Sequence, residues 1–400
     1  MTPPRSPTDF LAAEYRELAD ADLDWKIRVL GGPSVPSSTI DGHRVLMLCS
    51  NNYLGLSDHP KLKAAAIEAV RTHGAGSGSV RPIAGTMDLH VELERRLARF
   101  KEADASLVYQ TGFAANAGLI PQLAGEGDLI VSDELNHGSI IDGVRLSRAE
   151  RAVYRHAQPD DLARVLAEAE RHVPSYRRLL VITDGVFSMD GDIAPLDRIA
   201  PLCAEHGAML YVDDAHGEGV LGRGGRGIVS HFRLSRAQVH VEMGTFSKAF
   251  GVVGGHVSGS EELVRFALNK SRTWLLSGSH PPAVAAACTA AIDVLEQEPQ
   301  HVERLWALTR RFSAAMRDRG FDLGASATPI VPVIVGESGK AKRMSERLFA
   351  LGVFALPIVF PMVARDKARI RTIMNAALTD EQLGVAIDAF AQAGRELGIV

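Results

Sequence analysis

Short β-rich segments alternate with helical stretches through the middle of the chain, from about residue 60 to residue 260. The strand-like segments, in chain order, are SLVYQ, DLIVS, RAVYR, LLVITD, AMLYVDD and QVHVEMG. Stretches such as HVELERRLARFK and PLDRIAPLCAEHG lie between them and carry apolar residues at helical spacing. The alternation predicts an α/β fold, in which a mainly parallel sheet has helices on both faces. Because ligands of such sheets bind outside the carboxyl ends of the strands, polar residues directly after each strand are candidate site residues.

The pattern changes on both sides of this region, which predicts three units. Residues 1–46 are predicted to form an N-terminal arm that contains a helix and a hairpin-like entry at DGHRVLMLCS. Residues 47–283 are predicted to form the large domain. After it, two long helical stretches, the strand PIVPVIVG and a last helix predict a smaller α+β domain over 284–400. A chain of 400 residues is long enough for such a division.

Composition and charge exclude several classes of protein. The formal charge of -4, with Lys and Arg spread along the chain, predicts no nucleic acid partner and favours a small substrate. No apolar stretch of about 18 residues and no signal peptide is present, so we expect no membrane span and a cytoplasmic location. Cys49, Cys203 and Cys288 lie far apart without metal or redox spacing, and we expect reduced thiols.

The segment EMGTFSKAFGVVGG at 242–255 places Lys248 after a strand, among small hydroxyl residues and glycines. A solvated loop lysine is the simpler interpretation, since it holds for most lysines. Small and apolar neighbours would remove water from the amine and lower its pKa, as Schiff-base chemistry requires. Lys248 is therefore a candidate to hold a carbonyl cofactor.

The strand AMLYVDD leads directly into Asp213 and His216. An acid at such a strand end can pair with a pyridinium nitrogen and keep it protonated, although a capping or turn aspartate is the alternative. The two residues could also be metal ligands, but no third ligand lies at a recognisable spacing, so no metal is predicted. The stretch from Asp213 to Lys248 is long enough for one helix and one strand, which would bring both residues to one site.

Three further strand ends carry candidate groups. The segment YQTGFAAN at 109–116 supplies a strand, a small turn and a helix start, which can bind a phosphate through backbone N–H groups or can be only a tight turn. His137 follows DLIVS and could stack on an aromatic ring or cap a helix. Ser188 follows LLVITD and could donate a hydrogen bond to a phenolate oxygen.

Taken together, several segments resemble the α-oxoamine synthases, most closely the branch of 2-amino-3-ketobutyrate CoA ligase and 8-amino-7-oxononanoate synthase. They run in family order from about residue 45 onward: SNNYLGL, LNH, TDGVFSMDGD, VDDAHGEGVLG, GTFSKAFG and ARIR. The resemblance implies a transferase of fold type I (aminotransferase-like) that depends on pyridoxal 5'-phosphate (PLP). It also implies a homodimer with shared active sites, and an acyltransferase that condenses an amino acid with an acyl-CoA and releases coenzyme A.

The resemblance also implies roles around the cofactor. Lys248 is expected to carry PLP and later to move the α-proton, while Asp213 holds the pyridine nitrogen and His137 stacks on the ring. His216 and Ser188 are expected near the phenolate oxygen. The expected phosphate-binding residues are Thr111, Gly112, Phe113 and Thr245 of one subunit and Ser277 and Gly278 of its partner.

Asn51 and Arg371 match the family's substrate-binding positions and are expected to receive the substrate carboxylate, which an Arg can meet bidentately. Three positions depart from the family pattern. Leu378 stands where a histidine is usual, Ala364 ends a loop that usually ends in Pro, and Gly278 stands where a bulkier residue is common. We expect these departures to affect substrate access.

Substrate choice follows less directly from the sequence. Glycine with a short acyl-CoA such as acetyl-CoA is the first prediction, because segment 358–361 lacks an arginine that could anchor a charged acyl tail. A larger amino acid (serine, alanine or glutamate), or a pimeloyl or long-chain acyl donor, is the alternative within the family. Outside it, the alternatives are an aminotransferase or lyase of fold type I, which needs no acyl-CoA, and a non-catalytic PLP-binding subunit.

Overall fold

The computed structural model of the protein describes residues 6–20, 23–24 and 26–400; residues 1–5, 21, 22 and 25 of the predicted arm lie outside the described residues. The strands are β1 Ser37–Ile40, β2 His43–Met47, β3 Ala105–Tyr109, β4 Leu129–Asp133, β5 Glu150–Tyr154, β6 Leu179–Asp184, β7 Met209–Asp213, β8 Val241–Thr245, β9 Gly255–Gly259, β10 Ile330–Gly336, β11 Val353–Phe354, β12 Leu356–Ile358 and β13 Ala368–Ile373. The α-helices are α1 Asp9–Asp20, α2 Pro60–His73, α3 Asp88–Phe100, α4 Gly112–Leu123, α5 Gly138–Leu146, α6 Pro159–Glu170, α7 Leu196–Glu205, α8 Ile228–His231, α9 Glu261–Lys270, α10 Arg272–Leu275, α11 Pro282–Gln297, α12 Gln300–Asp318, α13 Ser338–Ala350 and α14 Asp380–Glu396.

Seven strands form the central sheet, in the order β3-β9-β8-β7-β6-β4-β5. Neighbouring strands from β8 to β5 are parallel, whereas β9 is antiparallel to both β3 and β8. The predicted mainly parallel sheet is confirmed, and its six predicted strands are β3 to β8. Strand β9 was not predicted, because it begins and ends with glycine. A Cβ on Gly259 would lie only 2.6 Å from the carbonyl oxygen of His240, so close backbone approach excludes the side chains by which strands are recognised.

Alternate residues of the central strands enter two different hydrophobic cores. Val181 and Val212 pack into the core on one face of the sheet. Ile182 and Tyr211, the neighbouring positions, pack into the core on the other face. Because both faces are covered, these strands are nearly continuous apolar runs and carry polar side chains chiefly at their ends.

Two smaller sheets have three strands each, and one of them joins the N-terminal hairpin to the C-terminal part of the chain. The β1–β2 hairpin turns at Asp41 and Gly42, whose φ angles of 50° and 82° are those of a type I′ turn. Strand β2 also pairs in parallel with β11, and β10, β13 and β12 form an antiparallel sheet. The three-unit division stays a prediction; helix α11, which spans the second predicted boundary, packs on α2 and α3 of the predicted large domain. Over the part of the chain described here, no helix has both the length and the hydropathy to cross a bilayer.

Candidate active site

A cleft opens at the carboxyl ends of β3, β4, β6, β7 and β8, where the parallel arrangement brings the polar strand ends together. Nine of the residues predicted from the sequence line it: Thr111, Gly112, Phe113, His137, Ser188, Asp213, His216, Thr245 and Lys248. These nine residues therefore lie together in one cleft, while the role of each stays a prediction.

Lys248 follows β8 and is half-buried in the cleft. Removal of water from its amine lowers the pKa from the ordinary 10.5 to about 8, although the carboxylates of Asp213 and Asp184 act in the opposite direction. A much larger fraction of this amine is therefore uncharged near neutral pH than of a solvated lysine, and the uncharged form is the one that attacks a carbonyl group.

Asp213 ends β7 and is held by two hydrogen bonds. Its Oδ2 accepts from Asn116 Nδ2 at 2.8 Å, and its Oδ1 accepts from the backbone N–H of Ala215 at 3.1 Å. The hydroxyl of Tyr211 donates to Asn116 Oδ1 at 2.8 Å, which fixes the amide with its nitrogen toward Asp213. The carboxylate is thus oriented by donors alone and can offer its remaining lone pairs to a cation in the cleft.

His137 precedes α5, and its ring both caps that helix and lines the cleft, while stacking on an aromatic ring stays a prediction. Its Nδ1 accepts from the backbone N–H of Ser139 at 3.2 Å as a helix cap, and the ring also lines the cleft. Its own backbone N–H donates to Asp184 Oδ2 at 2.9 Å. Burial lowers the pKa of His137, and burial followed by the charge of Asp213 raises the pKa of Asp184 well above its usual range. A neutral imidazole and a proton-binding carboxyl therefore lie side by side.

His216 is buried and pairs with a phenol. Its Nδ1 lies 2.7 Å from the hydroxyl oxygen of Tyr53. Burial, with the charges of Lys248 and Arg371, lowers the pKa of His216 well below its usual value, and burial raises the pKa of Tyr53. Both groups are therefore neutral, and the hydrogen bond fixes the imidazole ring where it faces the cleft.

Arg371 of β13 brings the small antiparallel sheet to the edge of the cleft. Its Nε donates to the backbone carbonyl of Ser188. Its two Nη nitrogens lie 3.5 Å from Asn51 Oδ1, at the upper limit for hydrogen bonds, so these donors are not strongly engaged. Asn51 and Arg371 are thus adjacent, as a shared carboxylate site requires.

Helix α4 begins at the cleft with the residues predicted to bind a phosphate. Thr111 caps the helix, and its hydroxyl accepts from the backbone N–H of Ala114 at 3.0 Å. The N–H groups of Gly112 and Phe113 belong to the first turn, where no helical carbonyl is within reach, and they remain for an anion. The hydroxyl of Thr245 donates to the carbonyl of Gly254 at 2.7 Å.

Six predicted positions are not among the residues that line the cleft: Asn51 and Arg371, which lie at its edge, and Ser277, Gly278, Ala364 and Leu378. Ser277 and Gly278 follow α10 and do not line the cleft of their own chain. Ala364 is exposed in the loop before β13. Leu378 is 2% exposed within the main hydrophobic core, so the expectation that it affects substrate access is corrected: its side chain fills the core beside α14.

Sequence reasoning missed four residues that shape the site: Tyr53, Asn116, Ser139 and Asp184. Asp184 ends β6 and carried a usable signal, the same strand-end acid pattern that identified Asp213. Tyr53 lies within SNNYLGL, but its partner His216 is 163 positions away in the sequence. Asn116 and Ser139 lie on helices, and their roles come from hydrogen bonds to Asp213 and His137 that the sequence does not reveal.

A buried ionic cluster lies directly behind the cleft and supports the ends of β7 and β8. The ammonium group of Lys101 lies 2.6 Å from Glu242, 2.8 Å from Glu218 and 3.4 Å from Asp214, and its side chain is 0% exposed. Glu218 also accepts from the backbone N–H of Thr245 at 3.1 Å. Burial opposes the charge, but the three carboxylates outweigh it and raise the pKa of Lys101.

Substitution Lys101→Met is expected to lower the free energy of unfolding by about 3 kcal/mol, because it removes the ammonium group that contacts three buried carboxylates. Urea denaturation of the purified protein measures the change. Lys63→Met is the control, because Lys63 pairs with Asp58 at the surface, with 53% of its side chain exposed, and should change stability by less than about 1 kcal/mol. Equal changes in the two variants would contradict the prediction.

The groups in the cleft fit PLP. The first turn of α4 offers backbone N–H groups for a phosphate, Asp213 offers a fixed carboxylate for a pyridine nitrogen, and Lys248 offers an amine of lowered pKa for an aldehyde.

The comparisons with known proteins agree with this fit. The family model described as aminotransferase class I and II matches residues 43–390. The 8-amino-7-oxononanoate synthase of Symbiobacterium thermophilum is 55% identical over 98% of this chain and 99% of its own. The 8-amino-7-oxononanoate synthase 1 of Bacillus subtilis is 48% identical over 98% of this chain and 99% of its own.

Two solved structures have the same fold. A serine palmitoyltransferase from S. paucimobilis, with a bound PLP–myriocin aldimine, matches with a TM-score of 0.92 and 31% identity over 99% of this chain and 100% of its own. An 8-amino-7-oxononanoate synthase from Francisella tularensis matches with a TM-score of 0.75 and 25% identity over 88% of this chain and 98% of its own.

PLP is the cofactor, and the fold is the aminotransferase-like fold of type I. The chain is an acyltransferase of the α-oxoamine synthase type, whereas the specific likeness to glycine C-acetyltransferase is not supported by these relatives. The chain belongs to the class I and II aminotransferase family, within its α-oxoamine synthases.

Proposed function

We propose that this enzyme condenses alanine with pimeloyl-CoA and releases coenzyme A and CO2. The observation that carries the proposal is the 55% identity, over nearly the whole chain, with an 8-amino-7-oxononanoate synthase. The compound in that name has a ketone at carbon 7 and an amine at carbon 8, followed by a methyl group. Carbons 1 to 7 correspond to a pimeloyl group, and carbons 8 and 9 to alanine after loss of its carboxylate, so the atoms balance.

Bound PLP supplies an electron sink for the charge that develops at the α-carbon. In the proposal, Lys248 holds PLP and then moves the α-proton, for which a pKa of about 8 is well matched to neutral pH. Asp213, held by Asn116 and Ala215, keeps a negative charge beside the pyridine nitrogen.

The remaining proposed roles concern orientation. Arg371 and Asn51 bind the carboxylate of the amino acid, and the bond from Arg371 to the carbonyl of Ser188 fixes the plane of the guanidinium. His137 covers the ring of the cofactor. His216, positioned by Tyr53 as a neutral imidazole, and the side chain of Ser188 lie on the side of the phenolate oxygen.

The lowered pKa of Lys248 predicts how fast the apoprotein takes up PLP. Because only the uncharged amine reacts, the rate constant should rise about tenfold per pH unit below about 8 and level off above it. Stopped-flow absorbance with PLP over a range of pH measures this rate. A rise that continued without a break to pH 10 would contradict the prediction, because that is the behaviour of a solvated lysine.

Glycine with acetyl-CoA is the second candidate, and one observation favours it. Among the described residues that line the cleft, Lys248 is the single Lys or Arg, so the distal carboxylate of a pimeloyl group has no second cation there. An acyl chain with an uncharged end avoids the loss of hydration that such a carboxylate would suffer inside the cleft.

Release of coenzyme A over a grid of substrates tests the proposal. The grid combines alanine, glycine, serine and glutamate with pimeloyl-CoA, acetyl-CoA and palmitoyl-CoA. We expect the largest kcat/KM for alanine with pimeloyl-CoA, together with one CO2 per coenzyme A released. A larger value for glycine with acetyl-CoA would establish the second candidate. Transamination without release of coenzyme A would overturn both.

We also propose that the active form is a homodimer in which Ser277 and Gly278 reach the phosphate site of the partner chain. Their position outside the cleft of their own chain supports this. Helix α1 also leaves Phe10, Leu11 and Tyr15 more than half exposed, at 54%, 54% and 59%, which suits a surface covered by another chain. Sedimentation measures the oligomeric state. A monomer that has full activity at the same protein concentration would contradict the proposal.

A further inference from the structure

Three potential metal ligands meet at the corner between α11 and α12, outside the cleft. His59 caps the start of α2, Glu298 follows the last residue of α11, and His301 lies in the first turn of α12. The Nε2 atoms of His301 and His59 lie 3.2 Å and 3.7 Å from the same oxygen, Oε2 of Glu298. The three ligand atoms all lie within 4.8 Å of one another.

These separations match those of a tetrahedral metal site. Two ligands that each lie about 2.0 to 2.1 Å from a zinc ion are about 3.3 to 3.4 Å apart, and the two observed separations bracket that value. The imidazole rings of His59 and His301 cross at 79° with centroids 5.8 Å apart, so they do not stack on each other. Side-chain exposures of 14%, 21% and 25% for His59, Glu298 and His301 leave access for an ion from solvent.

Neighbouring groups leave the binding atoms available. The ammonium group of Lys61 lies 2.7 Å from Oε1 of Glu298 and so engages the other carboxylate oxygen. A metal on Nε2 of His59 needs the ring proton on Nδ1, which would end the contact between Nδ1 and the backbone N–H of Lys61. That contact is long, at 3.3 Å, so little is lost.

A second group of ligands, Asp214, Glu218 and Glu242, has comparable spacing but a different character. The buried ammonium group of Lys101 already lies 2.6 to 3.4 Å from its carboxylates and supplies the positive charge. No histidine belongs to that group of ligands, whereas the surface group has two imidazoles and one carboxylate, the set that suits a borderline divalent transition metal.

We propose that His59, Glu298 and His301 bind one Zn²⁺ ion per chain, with water as the fourth ligand. The ion ties the start of α2 to the corner between α11 and α12. It lies outside the cleft and takes no part in the reaction. Because the three ligands come from separate segments that meet only in the folded chain, zinc stabilises the folded state.

Calorimetric titration of the chelator-treated holoenzyme with ZnCl2 tests the site, because binding is measured without turnover. Wild type is expected to bind one Zn²⁺ per chain and to gain a few degrees in Tm. His59→Gln and His301→Gln are each expected to lose at least tenfold in affinity and to lose the gain in Tm. His73→Gln is the matched control: His73 lies 3.0 Å from the single carboxylate of Asp88 and is similarly exposed, at 27%, so the variant should bind as wild type does.

Co²⁺ gives a second measurement that does not depend on stability. Visible d–d bands of the intensity typical of tetrahedral sites are expected in wild type and in His73→Gln, and their loss is expected in Glu298→Gln. Mg²⁺, which prefers six oxygen ligands, should not compete. Zn²⁺ binding that is equal in wild type and in both ligand-histidine variants, or absent at micromolar concentration in wild type, would overturn the proposal.

Discussion

Lys248→Ala is expected to lower kcat on the order of 10⁴-fold or more, which corresponds to about 5 kcal/mol or more in the barrier. The variant loses both proposed contributions of this residue, the covalent hold on PLP and the movement of the α-proton. The structure gives no replacement, since Lys248 is the single lysine among the described residues that line the cleft.

Borohydride reduction of the holoenzyme followed by peptide mapping measures the covalent part of this prediction. The pyridoxyl label should lie on Lys248 in wild type and be absent from Lys248→Ala. Lys270→Ala is the control, because Lys270 is exposed at the end of α9 and should affect neither labelling nor turnover. A label on any other lysine of the wild-type enzyme would refute the assignment.

Asp213→Asn is expected to slow removal of the α-proton on the order of 10³-fold, or about 4 kcal/mol, while PLP remains bound through its phosphate. The substitution removes the negative charge opposite the pyridine nitrogen. It also creates a local conflict: both oxygens of Asp213 accept hydrogen bonds, from Asn116 and Ala215, and an amide nitrogen at either place would face another donor.

Exchange of the α-proton of alanine in D2O, followed by NMR, isolates this step from later ones. Asp184→Asn is the matched control within the same cleft. Burial and the charge of Asp213 raise the pKa of Asp184 and favour its neutral form, for which an amide is a close substitute. Exchange should therefore be slowed far more by Asp213→Asn than by Asp184→Asn. Exchange at the wild-type rate in Asp213→Asn would contradict the proposed role.

The sequence predicted those site residues that lie at or just after the end of an apolar strand, such as Asp213, Lys248 and Ser188. A parallel sheet brings the carboxyl ends of its strands to one edge, so these positions meet without any knowledge of how the connecting helices pack. Tyr53 and Asn116 could not be found in this way, because their roles arise from contacts with His216 and Asp213 across the fold.

The fold likewise has parts that could be predicted from single segments and parts that depend on contacts between distant segments. Segments with long apolar runs were predicted as strands, but β9 was missed because two of its residues are glycines that allow close backbone contact. Leu378 was expected at the cleft because a histidine is usual at that position. Its burial beside α14 depends on how the small sheet packs on the helices, which spacing along the chain does not reveal.

The contact between Asn51 and Arg371 joins residues 320 positions apart, and β2 reaches its partner strand β11 only near residue 353. Most groups of the cofactor cleft lie between residues 111 and 248 and are synthesised much earlier. During translation, the edge of β2 that pairs with β11 therefore stays unpaired until most of the chain has left the ribosome. Within one chain, the groups at the cofactor end of the active site can therefore assemble before those at the carboxylate end.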